Sequence, residues 1–341
     1  MALSGGVDSA VAAGLLVEAG EEIVGVFMRN GVSGSAARRS CCSLSDARDA
    51  RAVADRLGAP FYVQDMSASF DRLIGAFASD YAAGLTPNPC VVCNNDLKFG
   101  ELMDLADDLG CRDVVTGHYA IAEDGALRRG RDPDKDQSYL LAGLAPTQLA
   151  RARFPLGAML KSEVRAHASR LGLGVAEKPD SADICFVPGG DYRAVVAERL
   201  GHAGAAGDVA DRDGSAVGRH EGVAGFTVGQ RKGLGVALGE PAYVTAIEPD
   251  TGTVRVGRRA DLRRASCRVG GVSWLAAAPG DASVDVQLRH HHRPERARLE
   301  AGDEDRVTVV FEQPSEAVTP GQYAVFYAGD RVLGSGRIER D

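Results

Sequence analysis

The chain has 341 residues, 45% of them hydrophobic, and a formal net charge of −8. That length exceeds one average domain and predicts two or three, while no apolar run reaches membrane-spanning length and no signal peptide precedes the first motif, so a soluble, cytoplasmic protein is expected. The acidic balance does not advertise a nucleic-acid binder, although local basic clusters rather than net charge decide phosphate contact.

Only Met1-Ala2-Leu3 precede the stretch Ser4-Gly5-Gly6-Val7-Asp8-Ser9. A buried first strand normally takes about five residues, so this one is either unusually short or the chain begins later than its relatives. The paired glycines let the backbone turn tightly and present its N–H groups to an anion. Ser9 is expected to cap the run that follows, Ala10 to Glu18, whose apolar, helix-forming residues predict a helix N-terminus suited to phosphate. A Walker-type loop carries a Lys before its Ser or Thr, whereas here Asp8 holds that place. The stretch resembles instead the pyrophosphate loop of enzymes that split ATP into AMP and pyrophosphate. That resemblance implies ATP as cosubstrate and magnesium near Asp8.

Next, Glu22 to Met28 reads as a buried parallel strand. Helices follow over Asp46 to Leu57 (ending at Gly58), Ser67 to Ala83 and Asp96 to Leu109, with Phe61 to Val63 and Asp113 to Ala120 as strands. This alternation predicts an α/β fold, a doubly wound parallel sheet over residues 1–200 with ligands beyond the carboxyl ends of its strands. From Gly201 the turn signals Asp-Arg-Asp-Gly, Glu-Pro-Asp-Thr-Gly and Ala-Gly-Asp separate short Val-rich segments. They predict a small β domain over 201–259 and a β-barrel over 260–341.

Seven cysteines, at positions 41, 42, 90, 93, 111, 185 and 267, are odd in number and thinly spread. That pattern argues against a disulfide framework and for chemistry at a few of them. In Thr86-Pro87-Asn88-Pro89-Cys90-Val91-Val92-Cys93-Asn94, Cys93 is expected just before a helix starting near Asn95, where the helix dipole would favour a thiolate. Cys90 and Cys93 could also be half a zinc knuckle, but no second Cys-x-x-Cys exists. Cys185 lies on a loop, Asp180 to Phe186. Cys41 and Cys42 read as ordinary loop thiols, and Cys111 and Cys267 as core positions. Arg289, Arg293, Arg296 and Arg298 flank His290-His291-His292 and are expected to form a phosphate-facing rim, extended by Arg255, Arg258, Arg259, Arg263 and Arg264. Lys161 opens a helix and is given no catalytic role.

The combination is more specific than any part. Ser-Gly-Gly-Val-Asp-Ser, Thr-Pro-Asn-Pro…Cys-Asn…Lys98-Phe99, Gly117-His118-Tyr119-Ala120, Lys135-Asp136-Gln137-Ser138-Tyr139, Ile184-Cys185-Phe186, Thr227 to Gly235 and Pro320-Gly321-Gln322 occur in that order. Over essentially the whole chain this resembles the bacterial tRNA-specific 2-thiouridylases. The resemblance implies a tRNA-uridine 2-sulfurtransferase, in which ATP adenylates the 2-oxygen of the wobble uridine and pyrophosphate leaves into the loop. Cys185 would carry sulfur as a persulfide, loaded by a cysteine desulfurase or sulfur-relay protein. Cys93 would be the nucleophile that frees sulfide and closes a Cys93–Cys185 disulfide, or the persulfide would itself attack the base. Ala2, Leu3, Ser4 to Ser9, Met28 and Gly117 would bind ATP, and Asn88, Pro89 and Cys90 would face the target base. His118, Lys135, Asp136, Gln137, Arg289, His290 and Gln322 would contact tRNA.

Two departures from the family pattern stand out. Cys90 occupies a position where many relatives carry Asp, so Cys90, Cys93 and Cys185 could instead hold an iron–sulfur cluster. Arg289-His290 stands where relatives often carry Arg-Tyr. The rival readings are another ATP pyrophosphatase, an amidotransferase or ligase for a small metabolite, and a non-catalytic RNA-binding or sulfur-carrier protein. The first leaves Cys93, Cys185 and the β-rich half unexplained, and the second leaves the intact loop unexplained.

Overall fold

The computed structural model describes residues 1–31, 43–180, 184–236, 239–280, 282–303 and 305–340. They form two compact units, one of Met1–Leu73, Cys90–Gly190 and Asp330–Val332, the other of Ile74–Pro89, Asp191–Gly329 and Leu333–Asp341. Cys41 and Cys42 lie outside the described residues.

The first unit opens with α1 (Val7–Glu18), β1 (Gly25–Arg29), α2 (Leu44–Leu57), β2 (Phe61–Asp65) and the start of α3 (Ser67–Ala82). After it come α4 (Pro89–Val92), a π-helix over Cys93–Glu101, α5 (Leu102–Asp108), β3 (Val114–Val115) and a hairpin of β4 (Ala120–Glu123) and β5 (Ala126–Arg129). Two one-turn helices, α6 (Ser138–Leu141) and α7 (Pro146–Leu149), lead to β6 (Ala152–Arg153) and α8 (Lys161–Arg170). β1 and β2 are parallel, as are β3 and β6. Ala2 joins the two pairs, bridging Val26 in parallel and donating its N–H to the Val115 carbonyl at 2.9 Å. Ala2 thus takes the place between β1 and β3 in the expected open sheet. α1 has no polar stripe and is buried at Val7, Ser9 to Gly14 and Leu16, as a helix that is apolar all round must be. It packs with Phe27, Val53, Leu156, Val164 and Leu173 in one core.

Two expectations move. The helix expected from Asp96 begins at Pro89 and runs without interruption into the π-helix, since Val92 is itself helical at φ −60°, ψ −45°. Pro89 is suited to a first helical position, where its missing N–H costs nothing. The β4–β5 hairpin was not expected, although Asp124-Gly125 turns it with φ of 51° and 70°, the left-handed pair that an Asp-Gly hairpin turn uses.

In the second unit, α9 (Tyr192–Leu200) precedes β7 (Gly207–Ala210), β8 (Ala216–His220), β9 (Tyr243–Glu248) and β10 (Thr253–Gly257). Their sheet order is β8-β7-β10-β9, packed on Val209, Phe226, Val244, Ile247 and Val254. β11 (Arg264–Trp274), β12 (Ser283–Gln287), β13 (Glu295–Ala301), β14 (Val307–Ser315), β15 (Tyr323–Ala328) and β16 (Arg331–Ile338) follow. They run β11-β14-β13-β12-β15-β16, and β16 pairs back onto β11 (Val269 opposite Ile338), closing a six-stranded barrel. Alternate residues such as Val284, Val286, Ala297, Leu299, Val307, Val309 and Phe326 fill its interior, as the two-residue period of a strand requires.

Candidate active site

The Ser4–Ser9 loop lies between the short first strand and α1. Helix α1 starts at Val7, with Gly6 at its N-cap and no side chain capping it. Ser9 is thus within the first turn instead of at the cap. Its hydroxyl accepts from the Ser4 N–H at 3.1 Å and donates to the Gly6 carbonyl at 3.1 Å, which ties the loop to itself. Gly5 has φ +75°, and a side chain there would run into the Asp46 carbonyl, so glycine is required on both counts. Gly117 backs the loop equally closely: a Cβ on it would lie 2.7 Å from the Ser9 nitrogen. Of the other expected nucleotide contacts, Leu3 and Val7 point into the core and Met28 is near the carboxyl end of β1.

Around this loop is a cluster of charges that sequence reasoning passed over. Asp8 accepts from the Lys161 ammonium at 2.7 and 2.8 Å and from the Tyr119 hydroxyl at 2.6 Å. Lys161 also pairs with Asp180 at 2.8 Å, and Asp180 in turn holds Lys135 at 2.7 Å and Arg165 at 2.9 Å. Burial acts to raise the Asp180 pKa, but the bonds from Lys135 and Lys161 outweigh it and hold the value at about 2. On the loop's other side Lys178 donates to the Gly5 carbonyl at 2.8 Å and to Asp46 and Asp49 at 2.6 Å each. Burial opposes the Lys178 charge, yet those two carboxylates raise its pKa. The signal available in the sequence was the spacing of Lys178 and Asp180 just before Cys185.

Cys93 is at the start of the π-helix and Cys90 one turn earlier. With the helix beginning at Pro89, Cys90 holds the first-turn position, and Cys93 is deeper, where the dipole has largely faded. Asn94, 1% exposed, donates to the Leu140 carbonyl at 3.0 Å. Gln148 donates to the Asn95 and Phe99 carbonyls at 3.0 and 2.6 Å, stapling the π-helix. Cys90, Cys93 and Cys185 are half-buried thiols, none of them in a disulfide, and all three belong to the first unit. Among the described residues no three His, Cys, Asp or Glu side chains converge to hold a metal ion.

The residues expected to contact tRNA are largely engaged within the protein. His118 is buried between Phe99 and Phe154, with Nδ1 2.7 Å from the Thr116 hydroxyl. Burial, helped by the Lys98 charge, pushes its pKa well below the ordinary histidine value. Asp136 pairs with Arg129 and accepts from the Gly130 and Ser138 N–H groups. Gln137 and Tyr119 exchange hydrogen bonds at 3.0 and 2.9 Å. In the second unit Arg289 donates to the Ala317 carbonyl at 3.1 Å and to Thr319, and Gln322 donates to the Thr86 carbonyl at 2.9 Å. The Thr86 N–H returns a bond to the Pro320 carbonyl at 2.8 Å, so the segment leading to Asn88 and Pro89 is pinned to a barrel loop. Five arginines of the expected basic rim are also paired: Arg255 with Glu248, Arg258 with Glu240, Arg259 and Arg263 with Glu316, Arg296 with Asp285.

Comparison with known proteins fits this organisation. Residues 1–189 match the "tRNA methyl transferase HUP domain", 193–258 the "tRNA methyl transferase PRC-barrel domain" and 264–338 the "Aminomethyltransferase beta-barrel domain". A protein from Solibacter usitatus named tRNA-specific 2-thiouridylase MnmA is 46% identical, over 99% of this chain and 98% of its own. Proteins of the same name from Rhodococcus opacus and Mycobacteroides abscessus are each 48% identical, over 99% and 100% of this chain and 96% and 99% of theirs. The chain belongs to the tRNA-specific 2-thiouridylase family. Membership gives the loop at residues 4–9 its context, a nucleotide-binding HUP domain. No helix among the described residues is long and apolar enough to cross a membrane.

Proposed function

We infer that this protein is a tRNA-uridine 2-sulfurtransferase, which adenylates the 2-oxygen of the wobble uridine with ATP and replaces it by sulfur. The observation that carries the reading is identity of 46–48% along the whole chain to proteins named for that reaction. The rival that makes a small metabolite has no use for the two β modules that those relatives share.

The uridine oxygen attacks the α-phosphorus and pyrophosphate leaves toward the N–H groups of Gly5 and Gly6 and the start of α1. AMP is then the leaving group at C2. We assign Cys185 as the persulfide carrier and Cys93 as the thiolate that attacks it. Hydrosulfide is released, a Cys93–Cys185 disulfide forms, and a cellular thiol must reduce it before the next turnover. In the shorter route the persulfide's outer sulfur attacks C2 itself and Cys93 then resolves the adduct. Two features support a shared crevice. Cys185 follows Asp180 by five residues, a reach of at most about 18 Å, and Asp180 is tied through Lys161 to Asp8. Asn94, next to Cys93, bonds Leu140, and the adjoining Gln137 braces Tyr119, whose hydroxyl meets Asp8.

Asn88, Pro89 and Cys90 stand beside the target base in this reading, and the base must leave its stack to reach them. Lys135, His290 and exposed parts of the β modules are our candidates for tRNA contact, while Asp136, Gln137, Arg289 and Gln322 position backbone. Magnesium comes with ATP at Asp8, the sulfur comes from a desulfurase or relay protein, and the reaction runs in the cytoplasm with its tRNA. The test is mass analysis of nucleosides from tRNA incubated with the protein, ATP and a sulfur source. Cys93→Ser and Cys185→Ser should each lose thiolation by about 10³-fold or more while still binding tRNA; normal thiolation by both would remove the catalytic assignment.

A further inference from the structure

A Walker-type loop brings its own lysine to the β and γ phosphates. This loop has Asp8 in that place, so any cation must come from elsewhere in the chain. The structure brings one from 153 positions away. Lys161, the first residue of α8, has a side chain only 12% exposed, its ammonium in contact with both oxygens of Asp8 and 5.7 Å from the centre of the Tyr119 ring. Tyr119 can hold a cation over its face as well as donate to Asp8.

The contacts single Lys161 out. Lys135, Lys161 and Arg165 meet Asp8 and Asp180 in ion pairs, and Asp132, which accepts from the Lys161 N–H at 2.8 Å, adds a third carboxylate to the three cations. Of the three cations, Lys161 is the one bonded to a residue of the loop. Lys178 serves differently: its ammonium is bonded to the Gly5 carbonyl, Asp46 and Asp49, which fixes the back of the loop. We propose that Lys161 is the phosphate-binding cation of this loop, held on Asp8 until a polyphosphate arrives and then transferred to its oxygens, which leaves Asp8 as the carboxylate that would hold an accompanying magnesium ion. The transfer is favourable because a polyphosphate offers the ammonium more negative charge, on more acceptor oxygens, than the one carboxylate it leaves. Asp180, anchored by Lys135 and Arg165, keeps the lysine stem in place during the exchange. This proposal rests on the reading of the loop as an ATP site.

Competition by inorganic pyrophosphate against ATP tests it, with Lys161→Met, Lys161→Arg and, as a control from the exposed Arg131–Glu163 pair on the same helix start, Arg131→Ala. Lys161→Met should weaken pyrophosphate at least about ten-fold and raise the KM for ATP with a smaller fall in kcat; Lys161→Arg should restore most of the affinity, and Arg131→Ala should leave it unchanged. Pyrophosphate binding by Lys161→Met within two-fold of wild type overturns the proposal. Should that variant not fold, the unaltered protein decides: pyrophosphate should shield Lys161 from an amine-acylating reagent, read by peptide mass spectrometry, and full labelling in its presence overturns the proposal. If the wild type binds ATP and pyrophosphate as described but does not thiolate tRNA, the proposed reaction fails while the lysine assignment stands.

Discussion

The cations around the first loop and the arginines of the β modules are opposite in arrangement. Near the loop Lys161, Lys135 and Arg165 share the carboxylate of Asp180, Lys178 bridges two carboxylates, and the side chain of Lys161 is only 12% exposed. In the β modules Arg255, Arg258 and Arg259 each meet one acid from an exposed position. The difference teaches where a charge can act. A shared, partly buried network fixes geometry and keeps its charged groups facing one point, whereas an exposed pair loses most of its attraction to water and salt.

The contrast can be tested first where it is strongest. The Asp180 pKa of about 2 lies below the ordinary carboxylate value, so its contribution to stability is complete above about pH 4 and is lost as pH falls toward 2. Asp180→Asn should destabilise the protein by about 1 to 2 kcal/mol at pH 7, after allowance for screening, and the gap in urea midpoint should close on acidification; a gap independent of pH would break the network argument. Next comes Gln322, which braces the Thr86 carbonyl inside the second unit. Gln322→Ala should slow thiolation about five-fold, the worth of one hydrogen bond, with the KM for tRNA unchanged; a rise confined to that KM would return Gln322 to RNA contact. Smallest is Arg259→Ala, which should move the melting temperature by less than about 1 °C and leave the salt dependence of tRNA binding unaltered.

The strand–helix alternation, the loop and the change to β structure after Gly201 were legible because each has a local cause: alternating apolar runs, paired glycines, regular turn signals. What escaped the sequence was set by distant partners. Nothing in Lys161-Ser162-Glu163 reveals that its first residue meets Asp8, and nothing in Asp136 or Gln137 tells an RNA contact from a brace on Gly130 or Tyr119. The acids that the arginine clusters meet, Glu248, Glu240 and Glu316, come from other strands and turns, so those pairings left no local mark in the sequence. One miss was avoidable: Asp124-Gly125 carried a hairpin turn signal in plain sight. The helix starts at Pro89 and not near Asn95, because a proline that reads as a loop signal is equally suited to a first helical position.

The bonds between Thr86 and the Pro320–Gln322 loop span up to 236 positions. During synthesis at roughly 5–20 residues per second, that leaves the segment beside the reactive cysteines without its brace for tens of seconds after it leaves the ribosome. A polypeptide released early would hold the ATP loop and both thiols yet lack the brace on that segment. The Pro320–Gln322 loop, translated long after Thr86, thus acts as a check that the β-barrel has been made before the segment ahead of Cys90 is fixed.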